Sequence, residues 1–99
     1  IMKKNFTLGI GILTMNQPKN LNNILKSYIK YNFFEYIDQV IVLLQCNNKN
    51  EKNIVKKYNI PFISTEKNIG IGPANNLLVE KLNTDYIIIL QNDFELVSK

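Results

Sequence analysis

Apolar residues fall in short runs along the chain, and the period of the pattern switches between two and three-to-four. Phe6–Leu13 (FTLGIGIL) is mostly apolar and bounded by turn formers, as strands buried on both faces are. Asn16–Asn32 then carries Leu21, Ile24, Leu25, Tyr28 and Ile29 at helical spacing, which predicts one apolar helix face. Pro18 suits the first turn of that helix and Asn16 its cap. Gln39–Gln45 (QVIVLLQ) predicts a second strand. Asn50–Asn59 predicts a short helix with Ile54, Val55 and Tyr58 inward, and Pro61–Ser64 a short third strand. Gly72–Asn83 predicts a third helix with Pro73 near its start, and Asp85–Leu90 a last apolar strand.

This alternation predicts one domain over residues 1–99: a three-layer, Rossmann-like α/β fold with a mostly parallel four-stranded sheet and about three helices, in the order β-α-β-α-β-α-β. In such sheets ligands bind beyond the carboxyl ends of the strands, where strand order reverses. That rule selects the loops Thr14–Asn16, Gln45–Asn48, Glu66–Gly72 and Gln91–Glu95, which hold the unusual residues of the chain.

Composition narrows the chemistry. An apolar content of 45% fits a globular, soluble protein. YIIIL is far short of the ~20 residues of a membrane span. TMNQP is no leader cleavage site, and the expectation is a cytoplasmic protein, or one at the cytoplasmic face of the membrane within a longer chain. The single Cys46 fits a reducing compartment. Without His, neither a zinc site nor a Ser-His or Cys-His nucleophile can be built, so any metal would be a hard cation on oxygen ligands. The net charge of +4 comes with twelve lysines and no arginine, scattered among asparagines, which reads as solvated surface rather than a nucleic-acid patch.

Two stretches carry candidate chemistry. Asp93 follows a strand directly, and with Asn92 or Gln91 it could hold a divalent cation, much as Mg²⁺ is held in phosphate-handling sites. QND is equally a turn or cap sequence. In NIGIGPANN (Asn68–Asn76), Gly70 and Gly72 let the backbone turn and approach a ligand, and the following helix start favours anions. By itself such a GxG also describes a simple turn.

Taken in order, Asn68, Gly70, Gly72, Ala74 and Asn76, then a helix, an apolar strand, Leu90 and Asp93, resemble the nucleotide-sugar-binding half of glycosyltransferase family 2, with its A-type fold. ILTMNQP is similar to the turn that ends the family's first strand, so the resemblance spans about Phe6 to Glu95. It departs at two places. Gln91 stands where the family has the first Asp of its acidic pair, and QCNN (Gln45–Asn48) stands where it has Asp-Asp-Gly-Ser. Amides in place of carboxylates offer donors as well as acceptors, which leaves the base undetermined.

The resemblance implies an inverting transfer of sugar from a nucleoside diphosphate to an acceptor hydroxyl, with a divalent cation (Mg²⁺ or Mn²⁺) on Asp93. It implies that Thr14, Asn16, Gln45 and Asn47 face the nucleoside, and that Asn68, Gly70, Gly72, Asn76 and Asn92 line the rest of the donor site. The family's general base lies in an acceptor-binding half downstream of the acidic motif. The expectation is therefore a donor-binding portion of a truncated A-type fold, inactive alone, whose last strand leaves an apolar edge for pairing with a second copy. A non-catalytic nucleotide- or protein-binding module with a degenerate acidic motif remains the alternative reading, ahead of a flavodoxin-like signalling domain.

Overall fold

In the computed structural model, residues 5–91 are described. They form strands β1 (Leu8–Met15), β2 (Gln39–Gln45), β3 (Phe62–Ser64) and β4 (Tyr86–Gln91), with helices α1 (Pro18–Lys30), α2 (Lys49–Lys57) and α3 (Ile71–Lys81) between them. A short 3-10 turn, Phe33–Tyr36, which the apolar pattern does not reveal, leads into β2. The sheet is parallel throughout, in the order β3-β2-β1-β4. The chain moves outward from β1 through β2 to β3 and then crosses back to place β4 on the other side of β1. The direction of winding reverses between β2 and β4, around β1.

The period-two alternation of β1 and β2 decides what each helix meets. Ile10 and Ile12 of β1 and Val42 and Leu44 of β2 point to one face, where they pack on Leu21, Ile24, Leu25 and Tyr28 of α1 and Val55 of α2. Leu13, Ile41 and Leu43 point to the other, against Ala74 and Leu78 of α3 and Leu82 just after it. Gly9 and Gly11 lie on that second face. A Cβ at Gly11 would stand 3.0 Å from Leu78 Cδ1, and one at Gly9 would stand 2.5 Å from Thr84 Oγ1. The glycines of LGIGIL therefore let α3 and the turn after it settle onto the centre of the sheet.

Two expectations are corrected. Asn16 does not cap α1. Pro18 occupies the first helical position, so the cap falls on Gln17, which makes no side-chain capping bond. Asn16 instead takes a left-handed backbone with φ 52°. Ile29 is not inward but 45% exposed, because the apolar stripe of α1 is completed by Tyr28, with Phe33 and Phe34 stacked on its ring. At the edge, Tyr86 and Ile88 of β4 are exposed, since α1 and α2 cover β1 and β2 and leave the outer strand partly open.

Candidate functional site

A cleft of about 180 Å³ opens at the carboxyl ends of β1, β2 and β4, lined by Leu13, Thr14, Met15, Gln17, Gln45, Ile71 and Gln91. Gln91 sits there because it pairs in register with Leu13. This is the position that the reversal of strand order selects.

One wall is the turn from β1 into α1. Thr14 shares the face of Ile10 and Ile12, so its side chain points at α2. Its hydroxyl donates to the carboxylate of Glu51, which is fully buried. The same carboxylate accepts the backbone N–H of Asn16 at 3.2 Å and of Gln17 at 3.0 Å. Asn48 caps α2 by accepting the Glu51 N–H at 2.9 Å, and its Nδ2 donates to Asn16 Oδ1 at 3.2 Å. Thr14 of β1, Asn16 and Gln17 of the turn, the cap residue Asn48 and Glu51 of α2 thus form one network. Among the described residues no ammonium pairs with Glu51, so hydrogen-bond donors alone stabilise its buried acceptor atoms.

The other wall is the approach to α3. Gln45 shares the opposite face of β2 with Ile41 and Leu43, and its Oε1 accepts the Ile69 N–H at 2.8 Å. Asn68 Oδ1 accepts the Gly70 N–H at 2.9 Å, closing a local turn. Gly70 has φ 87° and ψ 164°, a region open in practice only to glycine. Gly72 already lies inside α3, and nothing stands within 4 Å of a Cβ built there. Its backbone is therefore approachable from outside. Asn75, one turn on, keeps a buried Oδ1 that has no hydrogen-bond partner among the described residues.

Of the residues expected at the site, Thr14 and Gln45 line the cleft. Asn16, Asn68 and Gly70 shape its walls through the bonds above. Asn47 is exposed in the β2–α2 loop with a left-handed backbone of φ 47°, and Asn76 is exposed on α3, outside the cleft lining. Asn92 and Asp93 lie outside the described residues, as does Glu95. Glu51 and Gln17 were not anticipated, and Asn48 only as the end of the Gln45–Asn48 loop. The one signal for them in the sequence is Asn48-Lys49-Asn50-Glu51, a helix-start pattern that accounts for the cap but not for the reach of Glu51 into another loop.

Gln91 lines the cleft and carries an amide oxygen of the kind a hard cation accepts, and Asp93 follows it by two residues in the sequence. Among the described residues no cluster of three His, Cys, Asp or Glu forms a metal site, and no helix is long and apolar enough to cross a membrane.

A Rossmann-like parallel α/β sheet, with a cleft at its switch point, is the class these features define. The sequence profile of Glycosyl transferase family 2 matches residues 10–98, and the chain belongs to that family. Its fold is that of A-type glycosyltransferases. A mannosyltransferase from Pyrobaculum calidifontis, solved with GDP-mannose and Mn²⁺, superposes with a TM-score of 0.81 at 11% identity over 96% of this chain. TarS of S. aureus gives a TM-score of 0.75 at 22% identity over 90% of the chain, and mannosyl-3-phosphoglycerate synthase of Rubrobacter xylanophilus gives 0.75 at 14% over 94%. An uncharacterized glycosyltransferase of Methanocaldococcus jannaschii, MJ1057, is 32% identical over 92 residues. A leucine–tRNA ligase of Buchnera aphidicola is 36% identical over 89 residues, a match that spans 10% of that protein. The chain spans 31% of the length of the M. jannaschii protein and 28–32% of the three solved chains.

Proposed function

We propose that this chain is the donor-binding portion of an inverting glycosyltransferase, taking a nucleoside diphosphate sugar in the cleft at the ends of β1, β2 and β4. The observation that carries the reading is the construction of that cleft. Its two walls are each fixed by a buried polar side chain from the β2–α2 region, Glu51 on one side and Gln45 on the other. Loops held in this way bind with little ordering loss, and a phosphate would find the open backbone of the first turn of α3.

In this reading the Thr14–Gln17 turn and the Gln45–Asn48 loop face the nucleoside, while Gly70 and Gly72 leave room for the diphosphate. Asn68, Asn76 and Asn92 border the same site. A divalent cation, Mg²⁺ or Mn²⁺, held through Asp93 with Gln91 or Asn92 beside it, would neutralise charge developing on the leaving diphosphate. Solution of the Pyrobaculum mannosyltransferase with GDP-mannose and Mn²⁺ supports the use of a divalent cation. No carboxylate lines the cleft among the described residues, and Glu51 is committed to the turn. In the same reading this donor-binding portion does not transfer sugar by itself, and an acceptor-binding part supplies the base.

Isothermal titration with UDP, GDP, CDP and dTDP, each with and without Mn²⁺, tests the proposal. Saturable 1:1 binding of one of them, strengthened by Mn²⁺ and weakened about tenfold or more by Asp93→Ala, is expected. Absence of binding by all of them would leave the non-catalytic module with its drifted amides as the better reading.

A further inference from the structure

We propose that Glu51 is the positioning residue for the nucleoside-facing wall of the cleft. It acts through the Thr14–Gln17 turn and touches no ligand itself. The inference rests on the donor-site reading above.

Glu51 is fully buried and absent from the cleft lining, so it is no ligand contact. Yet it reaches two residues of that lining: Thr14 through its hydroxyl and Gln17 through its backbone N–H. Between them it also accepts the N–H of Asn16, which takes a left-handed backbone at φ 52°, a conformation that asparagine tolerates better than most L-residues. A buried carboxylate is a costly way to fill space, and an apolar side chain would pack there more cheaply. What the carboxylate supplies is acceptor capacity for three converging donors. Helix α1 has no side-chain cap of its own, and Glu51, on a different helix, accepts the N–H of its N-cap residue Gln17. The first turn of α1 and the first turn of α2 are thereby fixed relative to each other, with Asn48 closing the loop through Asn16.

Glu51→Gln tests this, because it keeps the shape while replacing one acceptor with an amide that must face N–H groups. With the nucleoside diphosphate that binds the unmodified chain, Glu51→Gln is expected to weaken binding about tenfold, the scale of a hydrogen bond to a charged group. The Asn16 and Gln17 amides should lose hydrogen-exchange protection while those of Ile10 and Val42 keep it. Ile60→Val, in the core and apart from the cleft, should lower stability and leave the affinity unchanged. If Glu51→Gln does not fold, Glu51→Asp, which keeps the charge but shortens its reach, is measured in the same way. Equal affinity in the unmodified and substituted chains would overturn the role of Glu51 and leave the donor site standing. Failure of the unmodified chain to bind any of the diphosphates would instead remove the donor reading, and the positioning role with it.

Discussion

β1 and β4 lie side by side and share an apolar character, yet they are built for different duties. β1 is the centre of the sheet, with Ile10 and Ile12 at 0% exposure on one face and Gly9 and Gly11 accommodating α3 and its following turn on the other. Among the described residues β4 is paired along one side only, and its residues alternate between half-buried Ile87 and Ile89 and exposed Tyr86 and Ile88. Apolarity alone does not give a strand its energetic weight. That follows from what covers each face, which depends on strand order and on where the helices sit. Both strands nonetheless deliver their last residues, Thr14 with Met15 and Gln91, to one cleft, so a rigid strand and an edge strand meet at the site.

The comparison is sharpest under truncation. Ile12→Ala should destabilise the domain by about 2–5 kcal/mol, because the hole opens among α1, β1 and β2 where little can collapse into it. Chemical denaturation would show this as a lowered midpoint with an unchanged slope. Gly11→Ala comes next, at about 1–3 kcal/mol, since its new methyl meets Leu78 across a 3.0 Å gap and α3 must move outward. Amide shifts along Ala74–Leu82 would report that movement. Ile88→Ala should change stability by no more than about 0.5 kcal/mol, as expected of an exposed side chain. A loss at Ile88 equal to that at Ile12 would break the comparison and mean that the open face of β4 is covered in solution. Sedimentation of Ile88→Lys beside the unmodified chain would then show whether a second copy is what covers it, as the exposed edge predicts.

The layers were legible because buried strands and amphipathic helices carry different periods. The strand order β3-β2-β1-β4 is not carried by that pattern. Thr14 and Gln45 were legible as cleft residues because a strand end fixes position within a residue or two. Their partners were not. Period two sends Thr14 toward α2 and Gln45 toward the α3 approach, but which donors and acceptors await them depends on loops distant in sequence. Glu51 reads in sequence as an ordinary helix-start acid, and only the packing of α2 beside the β1–α1 turn makes it a shared acceptor. Asn16 was misread as a cap because Asn favours both caps and left-handed turns, and Pro18 moved the cap to Gln17. The exposure of Ile29 and Ile88 was invisible for a related reason, since hydropathy marks apolar residues whether or not a neighbour arrives to cover them.

The central claim is that a nucleoside diphosphate and a divalent cation share the cleft at the carboxyl ends of β1, β2 and β4. Paramagnetic broadening of backbone amides by Mn²⁺, recorded with and without UDP or whichever diphosphate binds, tests it most directly. The expected result is broadening that needs the nucleotide, is strongest at Leu13, Ile71 and Gln91, and spares the surface from Lys56 to Phe62, beside the start of β3. Broadening centred elsewhere, or unchanged by nucleotide, would contradict it.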